Sequence, residues 1–165
     1  MFRRRVLGFA ALTVIAGSMT LGMAQKPKSS LTGDDYIEIQ QLYARYNNAI
    51  DTGDGEGYAG TFTADGVFNT FNGHDALVGF IKNWHDKMGG ATRRHWNTNL
   101  TISPTSEGAS GSVYLLLVDV GVRPPVIGSA AMYNDSLVKT ADGWRFKHRQ
   151  TKSDGPPAAP VVAKP

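Results

Sequence analysis

Residues 32–54 read TGDDYIEIQQLYARYNNAIDTGD and predict a long amphipathic helix. Thr32 and Asp35 form a start that resembles a capping box, with Asp in place of the usual Glu. Apolar side chains then recur at helical spacing, at Ile39, Leu42, Tyr43, Tyr46 and Ile50. The helix is expected to end at Thr52-Gly53, and the rest of the chain must cover its apolar face.

Two further helices are predicted after the first one. Asp54 can cap a short second helix that carries Tyr58 and Phe62, and residues 67–71 then form an extended segment. A third helix is expected between Asn72-Gly73 and Gly89-Gly90. Its apolar side chains fall on one face, at Leu77, Phe80, Ile81, Trp84 and Met88.

The remaining residues predict four strands, three of them at about 93–103, 110–120 and 129–139. In the first of these strands, alternation places His95 and Asn99 on one face and Trp96, Leu100 and Ile102 on the other. Helices early in the chain and strands late in it indicate an α+β fold, with the helices packed on one side of a curved antiparallel sheet.

The last strand follows a hairpin turn at Asp142-Gly143. Its residues alternate, with Trp144, Phe146 and His148 on one face and Arg145, Lys147 and Arg149 on the other. His148 either faces inward with Trp144 and Phe146, as another proton donor, or lies at an exposed end of the strand beside Lys147 and Arg149.

The length and the charge exclude several classes of protein. The chain has 165 residues, which fits one domain, and carries 17 Lys plus Arg against 14 Asp plus Glu. Three of the 17 basic residues lie at positions 3–5, so residues 25–165 hold 17 − 3 = 14 basic against 14 acidic groups. A neutral body without a basic cluster argues against nucleic acid as a partner.

The ends of the chain are predicted to lie outside the folded domain. Residues 1–24 combine a basic start, an apolar stretch and small residues at a cleavage position, as in a signal peptide of the Sec or twin-arginine type. We therefore expect a periplasmic or secreted protein with no stable membrane anchor after cleavage. Residues 25–30 form a polar leader and residues 153–165 a Pro/Ala-rich tail, both expected to be disordered, so the folded domain is expected at 31–152.

Five segments in order resemble the SnoaL-like branch of the nuclear transport factor 2-like superfamily. They are residues 43–54 (YARYNNAIDTGD), 62–68 (FTADGVF), 73–77 (GHDAL), 94–99 (RHWNTN) and 133–146. The resemblance implies a cone-shaped α+β roll, in which the sheet wraps around the long first helix and leaves a mostly apolar pocket. Members include dehydratases, isomerases, cyclases and non-catalytic binders, so the fold alone does not give the reaction.

Asp51 and His95 are the predicted catalytic pair. A carboxylate at the C-terminus of a helix is unfavourable against the helix dipole and needs a cationic or hydrogen-bonding partner. The pair resembles scytalone dehydratase-like members, in which an aspartate orients a histidine that moves protons without a cofactor. The alternative is structural, with Asp51 capping the turn at Thr52-Gly53.

Tyr46 is the third predicted catalytic residue, because it resembles the tyrosine that donates to the oxyanion in ketosteroid isomerase. Its other reading is a core aromatic residue. Thr70 lies at about the position of the general base in that isomerase. Threonine cannot remove a carbon-bound proton at neutral pH, so His95 is favoured as the base.

Seven further residues are candidates to bind substrate: Asn47, Tyr58, Phe68, Trp84, Asn99, Tyr114 and Asn134. The alternative for Tyr58, Phe68 and Trp84 is a place in the core. Tyr114 and Asn134 are implied by the resemblance to scytalone dehydratase-like enzymes, and their alternative is an ordinary strand position.

These residues predict a cofactor-independent acid/base lyase or isomerase that acts on a small apolar, aromatic alcohol or ketone. Dehydration is the simplest version. The resemblance implies a second version, because some family members without cofactors release formaldehyde from lignin-derived aromatic diols. The alternative is a non-catalytic periplasmic binding protein for a small hydrophobic ligand. No pair of histidines has metal-ligand spacing and no nucleotide fingerprint is present, so neither a metal nor a cofactor is expected. The resemblance also implies a homodimer through the outer face of the sheet.

Overall fold

The computed structural model describes residues 30–155, and the predicted signal peptide, the leader up to residue 29 and the tail from residue 156 lie outside this range. The described helices are α1 (Gly33–Thr52), α2 (Gly55–Ala59) and α3 (His74–Lys87), followed by a 3-10 turn at Gly90–Thr92. No helix between residues 30 and 155 is long and apolar enough to cross a membrane.

Six strands form one curved, unclosed sheet in the order β2-β1-β6-β5-β4-β3. The strands are β1 (Phe62–Phe68), β2 (Phe71–Asn72), β3 (Arg93–Pro104), β4 (Ala109–Asp119), β5 (Val126–Thr140) and β6 (Gly143–Ser153). All neighbours are antiparallel except β1 and β6, which pair in parallel. The predicted α+β class is confirmed, but the sheet is mixed, because the first strand pairs with the last one after a long crossover.

Helix α1 forms the centre of the core, as its sequence predicts. The capping box between Thr32 and Asp35 is present, and Gly53 ends the helix with a left-handed φ of 75°. All five predicted apolar positions of α1 are buried. Burying a large apolar side chain contributes about 1.5–3 kcal/mol, so this face is the main source of the energy that holds α1 against the sheet.

Helix α2 is shorter than its sequence pattern predicts. It ends at Ala59, and Phe62 is the first residue of β1 instead of a helical residue. Tyr58 and Phe62 are both buried and their ring centroids lie 5.4 Å apart. The expectation that Tyr58 and Phe62 share one helix was wrong, because two residues that contact each other in the core can belong to different elements.

A bulge in β3 reverses the predicted faces of its second half. Asn99 and Leu100 together oppose one residue of β4, and Asn99 has a left-handed φ of 56°. After this extra residue, Leu100 and Ile102 pack against the core while Asn99 is exposed. The prediction that Asn99 shares the face of His95 was wrong, because one inserted residue exchanges the two faces of a strand.

A second irregularity lies in β6, where Lys147 has no partner in the register with β5. As a result Phe146 and Arg149 are both fully buried, whereas His148 is exposed. The predicted alternation therefore holds at Trp144 and Phe146 and fails beyond them.

We expect Asp35→Asn to lower stability at neutral pH and to reduce the sensitivity of the fold to acid. Hydrogen bonds from Lys139, Thr32 and Trp144 hold the pKa of the Asp35 carboxyl well below its ordinary value. The unfolded-state pKa of an aspartate is about 3.9, so this stabilisation is complete above that pH and is lost as pH falls through the lower folded-state pKa. Denaturant unfolding at a series of pH values measures the difference.

The matched control is Asp34→Asn, because Asp34 lies in the same first turn but is exposed. If both variants changed acid stability equally, the specific contacts of Asp35 would not be the cause. The hydrogen bond to Asp35 raises the pKa of Lys139. The stabilisation by Lys139 is therefore complete below the unfolded-state pKa of about 10.4 and is lost as pH rises through the higher folded-state pKa.

Candidate active site

A cavity of about 210 Å³ opens between helices α1 and α3 and the inner face of the sheet. Its walls are mainly apolar, formed by Ile50, Phe68, Phe80, Trp84, Leu115, Leu117, Ala130 and Ala131. Cavities for drug-sized ligands usually hold about 300–1,000 Å³, so this volume favours a small ligand. Of the predicted aromatic residues, Phe68 and Trp84 line the cavity.

Five residues bring polar groups to the same cavity: Ser129, Tyr133, Thr151, Ser153 and His95. Ser129 and Ser153 are exposed and lie at the mouth, whereas Tyr133 is 2% exposed and lies at the floor. His95 and Ser129 occupy one cross-strand row of the sheet, with Leu117 between them. The cavity therefore has an imidazole near its mouth and a phenol at its floor.

Asp51 and His95 are in contact at the end of α1. The Asp51 Oδ1 and His95 Nδ1 atoms are 2.6 Å apart, and the side chains are 13% and 4% exposed. The backbone N–H of His95 also donates to the Asp51 carboxylate, at 3.1 and 3.2 Å to its two oxygens. These bonds compensate a negative charge at a helix C-terminus. They also make Nδ1 the proton-bearing nitrogen and leave Nε2 as the ring atom that can exchange a proton with a molecule in the cavity.

Asn47 contacts the backbone of His95 instead of lining the cavity. Its Nδ2 donates to the His95 carbonyl oxygen at 3.1 Å, and its Oδ1 accepts from Asn97 Nδ2 at 3.4 Å. Since Asn47 and Asp51 lie four residues apart on α1, one face of the helix holds the carbonyl, the N–H and the ring of His95. This geometry makes Asn47 a positioning residue for His95.

Tyr46 and Tyr58 are fully buried and lie behind the floor of the cavity. Their hydroxyl oxygens are 3.1 Å apart, with Tyr58 donating, and the ring centroids of Tyr46 and Tyr133 lie 5.8 Å apart. Burial raises the pKa of all three phenols well above the ordinary value, so they are neutral hydrogen-bonding groups. Among these three residues, called here the tyrosine triad, only Tyr133 lines the cavity.

A buried ion pair lies beneath the tyrosine triad. The Arg149 guanidinium binds Asp135 through two parallel hydrogen bonds of 2.8 and 2.7 Å, and the Tyr43 hydroxyl donates to the same carboxylate. Burial alone would lower the pKa of Arg149, but the charge and hydrogen bonds of Asp135 outweigh it and hold this pKa above its ordinary value. The guanidinium carbon lies 3.9–4.7 Å from four aromatic ring centroids, those of Tyr43, Tyr46, Tyr133 and Phe146.

Three residues predicted to bind substrate lie away from the cavity. Asn99 is exposed at the bulge in β3, beside α1, and Tyr114 and Asn134 are exposed on β4 and β5. The structure does not place their side chains at the cavity. For Asn134 the prediction was displaced by one residue, which is enough to exchange the inner and outer faces of a strand.

Tyr133 and Arg149 are the important groups that sequence reasoning missed. A signal for Tyr133 was present, because Ala131, Tyr133 and Leu137 lie an even number of residues apart in β5 and therefore share one face of the strand. No sequence signal pointed to Arg149, since its inward direction depends on the unpaired Lys147. Between residues 30 and 155, no three His, Asp or Glu side chains are grouped to hold a metal ion.

The fold and the site define a domain of the nuclear transport factor 2-like kind. An NTF2-like protein with a cystatin-like fold from Novosphingobium aromaticivorans matches with a TM-score of 0.68 and 22% identity, over 79% of this chain and 90% of that one. Residues 32–150 match the SnoaL-like domain, and the chain belongs to this family. SnoaL-like proteins are commonly enzymes, among them isomerases and cyclases.

Two further relatives show the degree of similarity within the family. An uncharacterised protein of Mycobacterium tuberculosis is 31% identical over 121 residues, which cover 70% of this chain and 82% of the relative. A structure from Catenulispora acidiphila in complex with S-DNPA is 31% identical, with a TM-score of 0.66, over 74% of this chain and 96% of that one.

We expect Asn47→Ala to loosen His95 without unfolding the protein. Loss of the bond to the His95 carbonyl should lower the free energy of unfolding by about 1 kcal/mol. It should also speed solvent exchange of the His95 Nδ1 proton, which proton NMR follows directly. Asn48→Ala is the matched control, since the Asn48 side chain is exposed on the same helix. Equal exchange rates in the wild type and in Asn47→Ala would contradict the positioning role.

Proposed function

We propose that the protein is an exported, cofactor-independent acid/base lyase or isomerase that acts on a small aromatic alcohol or ketone. The observation that carries the proposal is the His95 ring at an apolar cavity, with Nδ1 held by Asp51 at 2.6 Å. In such a pair the carboxylate fixes the tautomer and stabilises the imidazolium, so Nε2 takes and returns a proton. The Catenulispora acidiphila relative was solved in complex with S-DNPA, which supports ligand binding by a domain of this fold.

Dehydration of a β-hydroxy ketone gives each group a defined task. His95 Nε2 removes the proton on the carbon beside the carbonyl, and the electron pair of that C–H bond moves to the carbonyl oxygen. Tyr133 lines the cavity whereas Tyr46 does not, and we assign its hydroxyl as the donor to this oxyanion. The imidazolium then protonates the departing hydroxyl, the electron pair returns to form the C=C bond, and water leaves with the histidine restored to its neutral form.

An aromatic diol offers a second reaction with the same groups. A para-phenol that loses its benzylic hydroxyl as water forms a quinone methide, with the phenol proton given up to solvent or base. His95 then takes the proton of the terminal hydroxyl, the carbon–carbon bond breaks, and formaldehyde leaves while the bonding electrons restore the aromatic phenolate. Both reactions need one mobile proton at His95 and one hydrogen-bond donor to an oxygen.

We expect Asp51→Asn to reduce kcat by about 100-fold or more, because the amide neither stabilises the imidazolium nor fixes the tautomer. Affinity for the ligand should stay within about threefold of the wild type, since Asp51 lies behind His95. Turnover and binding of a panel of aromatic β-hydroxy ketones and diols, followed by absorbance and calorimetry, measure both quantities.

Asp54→Asn is the matched control, because Asp54 is an exposed cap of α2 and asparagine caps helices equally well. Retained turnover in Asp51→Asn would contradict the dyad mechanism. Binding across the panel without turnover in the wild type would instead favour the non-catalytic binding protein.

We also infer a homodimer through the outer face of the sheet. Trp96 is 54% and Tyr114 44% exposed there, and Leu116 and Met132 are their neighbours in register. An apolar group of this kind is typical of a protein interface. Size-exclusion chromatography with light scattering should give the mass of two chains for the wild type and of one for Trp96→Glu. Met88→Glu, at the exposed apolar residue that follows α3, is the control, and a monomeric wild type would contradict the inference.

A further inference from the structure

One end of the molecule takes no part in the proposed proton transfer and is called here the β4–β5 end. It consists of residues 87–94, from the end of α3 to the start of β3, and residues 119–127, from the end of β4 to the start of β5. The backbone N–H of Val120 donates to the Thr92 carbonyl oxygen at 2.8 Å, which ties the two segments together. A Cβ atom at Gly121 would lie only 2.9 Å from that of Thr92, so the segments form one continuous surface.

The β4–β5 end carries half of the large apolar side chains that are exposed between residues 30 and 155. These side chains are Met88, Val122, Val126 and Ile127, and Ile127 is 62% exposed. Single exposed apolar residues are ordinary on a protein surface, whereas a group of them marks a surface that binds a protein or a membrane.

The same end is positively charged, although the described part of the chain as a whole is not. Residues 30–155 hold 11 Lys plus Arg against 14 Asp plus Glu. The β4–β5 end contains one of these carboxylates, Asp119, and four of the cations: Lys87, Arg93, Arg94 and Arg123. Within residues 30–155, none of these four cations has a carboxylate oxygen within 4 Å. Their charge is therefore available to an anionic partner.

The mouth of the cavity lies beside the β4–β5 end. Ser129 at the mouth follows Ile127 by two residues, and His95 follows Arg93 by two residues on β3. The Arg93 guanidinium carbon lies 5.4 Å from the ring centroid of Trp84, whose side chain lines the cavity. A partner that binds the β4–β5 end therefore also lies next to the entrance of the cavity.

We propose that the β4–β5 end docks reversibly on a membrane surface that contains anionic lipid. The exposed apolar side chains enter the boundary between headgroups and acyl chains, while the cations bind the lipid phosphates. Docking in this way places the mouth of the cavity at the bilayer, where small apolar molecules concentrate. The proposal is independent of the proposed function, because no group of the β4–β5 end moves a proton.

An anionic membrane fits this surface better than an acidic protein does. Every residue from 121 to 129 is exposed, so the turn between β4 and β5 protrudes from the body of the domain. A protruding apolar turn needs a matching concave pocket on a protein partner, whereas a fluid bilayer accepts any shape. The β4–β5 end also lacks Trp and Tyr, the residues on which protein interfaces are commonly centred.

Co-sedimentation with lipid vesicles tests the proposal on residues 25–165, the mature chain expected after signal cleavage. The wild type should bind vesicles of equal phosphatidylglycerol and phosphatidylcholine about tenfold or more tightly than vesicles of phosphatidylcholine alone. Lys87→Gln combined with Arg123→Gln should weaken binding to the anionic vesicles about 25-fold, because each cation at such a surface contributes about a factor of five. Both residues are exposed, so the fold should be unaffected.

Arg45→Gln combined with Arg145→Gln is the matched control for charge, since it removes the same charge outside the β4–β5 end and should change binding by less than about threefold. Val126→Ser combined with Ile127→Ser should weaken binding about tenfold through the loss of apolar contact. Ile37→Ser, at an exposed apolar residue of α1, is the control for that pair and should bind as the wild type does.

The proposal is overturned if the wild type does not sediment with the anionic vesicles, and the same charge pattern would then favour an acidic protein as the partner. It is also overturned if the control variants lose as much binding as the variants of the β4–β5 end. Asp51→Asn separates this proposal from the proposed function, because it should lose turnover and keep vesicle binding.

Discussion

Helix α1 is tied to the sheet at each of its ends by an aspartate. Asp35 in the first turn accepts hydrogen bonds from Lys139 on β5, at 2.8 Å, and from Trp144 on β6, at 2.9 Å. Asp51 in the last turn binds the ring and the backbone of His95 on β3. Two strands separate β3 from β6, so the helix crosses the inner face of the sheet and fixes the distance between strands that do not touch. The helix dipole favours Asp35 and opposes Asp51, so the hydrogen bonds from His95 must also offset an unfavourable interaction between Asp51 and the dipole.

Most of the fold could be predicted from periodic patterns in the sequence. The wrong predictions come from single-residue irregularities in the strands. The helical spacing from Ile39 to Ile50 predicted the buried face of α1, and the position of Asp51 at the helix end predicted its contact with His95, whose catalytic role remains a prediction. The two strand irregularities reversed the expected faces of Asn99 and Arg149. A bulge cannot be recognised from the sequence of its own strand, because it arises from the pairing of that strand with a neighbour that is distant in sequence.

The stability of the core does not require an ion pair at the positions of Asp135 and Arg149. Well-packed apolar residues in the place of a buried ion pair are often neutral or stabilising, whereas loss of one partner costs about 3–5 kcal/mol. What the pair adds here is direction, because the bidentate bond fixes the plane of the guanidinium against the rings of Tyr46 and Tyr133. The floor of the cavity therefore has a defined polarity in a region that is otherwise aromatic.

Part of the cavity wall comes from an element that carries none of the charged groups of the site. Phe80 belongs to α3 and contacts Phe68 and Phe71, while Asp51, His95, Asp135 and Arg149 all lie on α1 and the long strands. A change of side chain at Phe80 alters the width of the cavity without touching either pair of charges. Ligand specificity and proton transfer therefore depend on different residues. Substitutions in α3 can change which ligand the cavity accepts and leave the groups that transfer the proton unchanged.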